Sequence, residues 1–308
     1  MPAVLPTPLV QTITPEEIVR EVKNLPSAPR VLPRLKELLA DTNSAMHEIA
    51  ALIRLDPGIA ARVLQTANSA YFSKGVRCFA VDEAVQRVGY GQVYELVSVA
   101  VAAQVLVRPL KVYAIEADDL WKMSVACALA AELLADRMGQ DGHVAYTTGL
   151  FHGVGMVAID EWAARNAPDL SFRTLGFPSE ASAGERAAFG FTQAAVGGAL
   201  LADWGFPKPI SEPVRWQYMP RHSLTQARLA GLLHVAKWLR TVACAPSKSP
   251  RPPLPEATEL RACGLTTASL HDLAGEVARR LHEVDSLLET KHELTISREK
   301  FPAAMWQT

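Results

Sequence analysis

Apolar residues recur along this chain at three- and four-residue spacings rather than in alternation, which predicts helices and not strands. Val31, Leu35, Leu38 and Leu39 make one stripe. Ile49, Leu52 and Ile53 make a second, and Ile59, Val63, Leu64 and Ala67 a third. Helix starts are marked as well. Thr14-Pro15-Glu16-Glu17 joins an N-cap, a proline where the first turn has no amide bond to lose, and a capping-box glutamate. Asp56-Pro57 repeats the cap and proline, and Ser44, Asp82 and Ser223 are further cap candidates. Only residues 293–301 carry a pattern compatible with a short extended piece. The longest apolar run, 96–107, is broken by Ser98 and Gln104. It is well short of the roughly 20 residues a bilayer span requires, so it predicts a buried core helix.

The punctuation of the pattern divides the chain. Residues 1–13 read as a flexible N-terminus with no basic leader region, and 14–113 as an N-terminal helical subdomain of short helices and tight turns. Residues 114–290 read as a second helical subdomain, with a Pro/Ser/Lys-rich linker at about 245–255, and 291–308 as a C-terminal tail. The fold class expected is all-α. Gly89-Tyr90-Gly91 reads as a tight turn, and the glycines at 149, 153 and 155 as points of close helix contact.

Composition narrows the function. The 31 Lys+Arg against 32 Asp+Glu leave a net charge of −1, which is no electrostatic footprint for nucleic acid or an anionic membrane. Of the N-terminal helices, the best candidate for a recognition helix, 58–67, offers Arg62 and Gln65 but is otherwise apolar, which argues against DNA reading. The four cysteines, Cys78, Cys127, Cys244 and Cys263, lie far apart. They fit a reducing, cytoplasmic setting better than a disulfide framework or a zinc ribbon. There is no G-x-S-x-G elbow, no Walker A loop, and no pair of histidines at helical spacing.

Several separate motifs agree on one resemblance. Leu25-Pro26-Ser27-Ala28-Pro29 precedes a Leu-rich helix. Next come Ile53-Arg54-Leu55-Asp56-Pro57-Gly58, Ala67-Asn68-Ser69-Ala70-Tyr71-Phe72 and Val81-Asp82-Glu83-Ala84-Val85. In the second region stand Leu120-Trp121-Lys122-Met123-Ser124, residues 149–155, residues 185–197 and Trp204-Gly205-Phe206-Pro207. In order and spacing these resemble the HDOD domain, the HD-related output domain of bacterial signalling proteins. The resemblance implies an N-terminal helical subdomain packed on a C-terminal HD-like helical bundle. It also implies a regulatory module whose partners are signalling proteins of two-component or cyclic-dinucleotide pathways.

Metal-dependent HD phosphohydrolases are related in fold, and they hold their metal with mixed imidazole and carboxylate ligands. Motif alignment puts Met123 at the first ligand position, His152-Gly153 at the His-Asp doublet, Gln193 and Gln217 at further histidine positions, and Lys237 at the distal Asp. One ligand of the set remains, so the expectation is no metal, no other cofactor, no catalytic residue and no enzyme. His152 then reads first as a core histidine bonded to a backbone carbonyl. The alternative is a ligand pocket of Met123, His152, Gln193, Arg215, Gln217 and Lys237 that senses a nucleotide or phosphate, or retains residual hydrolysis. Trp216, Tyr218 and Met219 form a candidate contact surface, with core packing as the competing reading of Trp216 and Met219. The partner, the input signal and the oligomeric state are not legible in the sequence.

Overall fold

The structure is a computed structural model that describes residues 13–22, 38, 46–54, 57–69, 71–73, 75, 78–106, 108–172, 178–245 and 252–299. Helices are its only regular elements of any length; an isolated bridge between Leu110 and Ile115 is the sole β pairing among the described residues. The chain is all-α, as its hydrophobic periodicity predicts.

The first helix, α1 (Pro15–Glu21), begins with the capping box expected. The Glu17 amide donates to Thr14 Oγ1 at 3.2 Å, and the Thr14 amide donates to Glu17 Oε2 at 2.8 Å. Next come α2 (Met46–Arg54), α3 (Pro57–Ala67), α4 (Val81–Val88) and α5 (Tyr90–Leu106). Their apolar stripes meet in one core: Ile49, Ile53, Ile59, Val63, Ala67, Val85 and Val88 are buried. The stripe at 31–39 lies outside the described residues except for Leu38, which is buried, and so do Ser44, Asp56 and the motif at 25–29. Gly89, at φ +87°, makes the turn between α4 and α5, a conformation open to glycine. After α3, the Asn68 amide brackets the backbone of Cys78. Nδ2 donates to the Cys78 carbonyl at 2.7 Å and Oδ1 accepts from its amide at 2.6 Å, closing the loop like one rung of a ladder.

The second set comprises α6 (Ala117–Met138), α7 (Gly142–Leu150), α8 (Val154–Asn166), α9 (Pro178–Phe189), α10 (Gln193–Asp203), α11 (Lys208–Trp216), α12 (Ala227–Cys244), α13 (Ala257–Ala262) and α14 (Thr267–Glu299). The central rod α6 is packed by α7, α12 and α14. It ends where Gly139 turns left-handed and returns its amide to the last carbonyls. A Cβ at Gly149 would sit 2.6 Å from the Cys127 carbonyl, so α6 and α7 touch backbone to backbone. At Gly155 a Cβ would sit 1.9 Å from the Gln193 carbonyl, so α8 and α10 do the same. Gly153 differs, because its Cβ would come close only to the Met156 methyl, at 2.9 Å.

Helix α1 packs on α8 and α10 of the second set rather than on α2–α5, tied by Trp162 Nε1 donating to Glu21 at 2.8 Å. At the junction near residue 113, the Val112 amide donates to Asp160 at 2.8 Å and its carbonyl accepts from Phe172 at 2.7 Å. The extended piece expected at 293–301 is instead helical backbone as far as Glu299. β-Branched residues cost a helix only tenths of a kcal/mol each, and an already nucleated helix propagates through them. No helix among the described residues is long and apolar enough to cross a membrane.

Candidate functional site

His152 lies in the short turn between α7 and α8, and the packing of α10, α11 and α12 around that turn builds the site. The imidazole is 2% exposed. Its Nδ1 lies 2.6 Å from the Gly149 carbonyl, which can only accept, so the ring proton is on Nδ1. Nε2 is thereby left as an acceptor, and Arg240 Nη1 on α12 donates to it at 2.6 Å. Burial and the adjacent Arg240 guanidinium hold the His152 pKa well below the usual histidine range, against the pull of the Gly149 carbonyl.

Two glutamines clasp the backbone of the same residue. Gln217 Nε2 donates to the His152 carbonyl at 2.9 Å and Gln193 Nε2 at 3.3 Å. Gln193 Nε2 also donates to Tyr218 Oη at 3.3 Å, and Gln217 Nε2 to the Val214 carbonyl at 2.9 Å. The Gln193 amide donates to Glu185 Oε2 at 2.9 Å, while Tyr113 Oη donates to Glu185 Oε1 at 2.8 Å. Burial raises the Glu185 carboxyl above its ordinary range. Lys237, one helical turn before Arg240 on α12, lays Nζ 3.4 Å from the centroid of the Tyr218 ring. Burial and the neighbouring Arg240 hold its pKa well below the usual lysine range.

The structure thus brings together His152, Gln193, Gln217 and Lys237. It leaves Arg215 outside, because that guanidinium pairs with Glu16 of α1 at 3.3 Å on the surface. Met123 is half-buried and packs on the hydrophobic core. Of the contact-surface candidates, Tyr218 turns inward to the cluster, and burial pushes its phenol up to about 12. Trp216 is half-buried and stacks on His222, while Met219 is 48% exposed. Met219 borders an open cavity of about 410 Å³ whose rim includes Pro220, Arg221, His222 and Glu259.

Arg240, Glu185 and Tyr113 are members that the sequence reading misses. Arg240 had a signal available: Lys237 and Arg240 are basic residues three positions apart in a largely apolar stretch of α12, which places both on one face. The residues present do not fit a divalent metal. The one imidazole nitrogen free to bind it accepts from a guanidinium, Gly153 brings no side-chain donor and Met123 only a soft thioether, and the distal position holds an amine. Among the described residues no group of three His, Cys, Asp or Glu is placed to hold a metal ion.

Comparison with known proteins agrees on the architecture. A family model described as the HDOD domain matches residues 25–220. A curated protein from Treponema pallidum (strain Nichols), itself uncharacterised, is 25% identical over 220 residues, covering 67% of this chain and 40% of its own length. This chain therefore spans about two-fifths of that relative. A candidate signal transduction protein from Marinobacter aquaeolei VT8 superposes with a TM-score of 0.66 at 21% identity, over 88% of this chain and 63% of its own. An HDOD domain protein of unknown function from Geobacter sulfurreducens gives 0.58 at 22% identity, over 92% and 95%. A candidate phosphohydrolase from Shewanella amazonensis SB2B gives 0.60 at 23%, over 85% and 93%.

Proposed function

Because this chain belongs to the HDOD domain family, we propose that it is a regulatory module of bacterial signal transduction that works in the cytoplasm, without catalysis, by binding other signalling proteins. One observation carries the non-enzymatic part: Arg240 Nη1 donates to His152 Nε2 at 2.6 Å. That nitrogen is the atom through which the imidazole would hold a metal, and metal ligation needs its lone pair. Metal hydrolases use the ion to lower the pKa of water and to polarise a phosphoryl group. A guanidinium supplies charge but no open coordination position, so it can orient and stabilise without generating a nucleophile.

The surface favours the protein-binding half. Met219, the edge of Trp216 and the 410 Å³ cavity beside them put apolar and aromatic groups next to Arg221 and His222, the composition typical of interface anchors. Tyr218 is no part of that surface, since its hydroxyl and ring are engaged with Gln193 and Lys237.

The test is metal content and turnover together with capture. After dialysis against Mn²⁺, Fe²⁺, Ni²⁺ or Zn²⁺ and desalting, the protein should retain far less than one equivalent. It should also release no phosphate from mononucleotides or cyclic dinucleotides. Retention near one equivalent, or turnover abolished by His152→Ala, overturns the non-enzymatic reading. Affinity capture from the native cell should enrich signalling proteins, and Met219→Asp should weaken that capture. A capture that Met219→Asp leaves unchanged removes this surface from the reading.

A further inference from the structure

Six large apolar or aromatic side chains are exposed among the described residues, and three of them gather around one hollow. Met219 is part of the wall of the cavity of about 410 Å³. Leu224, at 95% exposed, sits on the turn between His222 and Ala227, both of which line that cavity. Leu254, at 51%, lies two residues before Glu256, another lining residue. A leucine held almost wholly in water adds no burial to its own fold, and apolar groups clustered at the surface mark contact sites. The turn that presents it is fixed from behind. Glu212 accepts from Ser223 Oγ and Thr225 Oγ1, each at 2.6 Å, and from the Thr225 amide at 3.1 Å.

The hollow is kept open by a residue that the fold does not require. Gly231 lines it from within α12, where glycine is the poorest helix former after proline. A Cβ there would meet only Pro220 Cβ, at 3.9 Å, an ordinary contact, and its φ is not left-handed. Neither close packing nor backbone conformation explains this glycine, and a larger side chain would take up room in the cavity. Charge on the same rim is mixed. Arg221 is exposed and has no hydrogen bond or ion pair among the described residues. Glu256 and Glu259 of α13 line the same cavity. A face that carries a protruding leucine, a hollow, a cation and two carboxylates is complementary to itself.

We propose that a second copy of this chain covers this face, each copy's Leu224 entering the other's cavity across a two-fold axis. Arg221 is then set against the carboxylates of the other copy's α13. A two-fold contact uses the same patch on both copies, so assembly stops at two. A contact centred on one side chain per copy belongs with weak interfaces, so pairing rises with concentration. The proposal rests on the functional reading only in taking this face as an interface. It adds regulation, because paired copies have no free Met219 face to offer another protein.

Sedimentation velocity of the full chain tests this. From low to high micromolar loading, the average mass of the wild type should rise toward twice that of one chain and stop there. Leu224→Glu should stay single at every loading, with the circular dichroism of the wild type, because the side chain it replaces is exposed. Gly231→Leu, which fills the hollow, and Arg221→Glu should each weaken pairing about tenfold or more, while Arg221→Lys should keep it. Tyr71→Ser, at an exposed position that does not line the cavity, should change nothing. A wild type that stays single, a mass that climbs past two copies, pairing unchanged in Leu224→Glu, Gly231→Leu or Arg221→Glu, or pairing lost in Tyr71→Ser would each overturn the proposal. The functional reading fails separately. A wild type that stays single yet captures signalling proteins leaves that reading standing, and a paired wild type that captures none refutes that reading alone.

Discussion

Gly155→Ala adds a single methyl group where α8 and α10 meet. The new carbon would lie 1.9 Å from the Gln193 carbonyl oxygen and 2.7 Å from the Gly197 amide nitrogen. Ordinary contact begins near 3.4 Å, so the helices must part by about 1.5 Å. Both obstructing atoms are backbone, and no rotamer change relieves them. Overpacking of this kind costs about 1–3 kcal/mol, and even a gap of 0.5–1 Å forfeits roughly a quarter to a half of the dispersion attraction between the atoms it separates. Alanine's better helix propensity returns up to ~1 kcal/mol. The net expectation is a loss of about 2 kcal/mol, a large share of the roughly 5–15 kcal/mol by which a domain is stable. Gly153→Ala is the control. It presses only on the flexible Met156 methyl, and its cost should stay within ~0.5 kcal/mol. Urea denaturation followed by far-UV circular dichroism measures both variants. Equal costs for the two, or a Gly155→Ala protein as stable as the wild type, would refute the claim that backbone contact between α8 and α10 is what demands glycine there.

Two further outcomes follow from the hydrogen bonds. His152 has a folded pKa held below its unfolded value near 6.5, so only the unfolded chain takes up its proton as the pH falls. Its contribution to stability is therefore full above pH 6.5 and declines below it, by up to ~1.4 kcal/mol per pH unit. Carboxyls with raised pKa, the buried Glu185 and the half-buried Glu132 (the latter pushed up to about 7), act in the opposite sense. The comparison is thus wild type against His152→Gln at pH 7.5, 6.5 and 5.5, and parallel pH profiles would contradict the assignment. Asn68→Ala strips both partners from the nearly buried Cys78 backbone and should cost about 1–3 kcal/mol. Asn68→Asp, which keeps the acceptor and loses the donor, should fall between, and thermal denaturation would show an Ala variant matching the wild type if the clamp contributed nothing.

Much of the fold is legible because its causes are local. The capping box at Thr14 and Glu17, the stripe from Ile49 to Ile53, and the turn at Gly89 each follow from a few neighbouring side chains. The site is legible to the extent that a motif fixes it. His152, Gln193, Gln217 and Lys237, which motif alignment picks out, lie together around the turn between α7 and α8. Arg215 and Tyr218 exchange expected roles, since one rotation along α11 and the turn after it sends the first to Glu16 on the surface and the second under Lys237. Residues 293–299 show the limit of local propensity, where the long helix before them decides.

The sequence by itself determined that the chain is helical, because periodicity is a property of the chain alone. It also pointed to helix contact at three glycines, yet only packing separated Gly149 and Gly155, which backbone atoms oblige, from Gly153, which a mobile methyl does not. The tertiary structure alone decided what His152 Nε2 meets. Arg240 lies 88 residues from His152, and nothing in their local patterns relates them. Their contact exists only because α12 closes over the turn between α7 and α8.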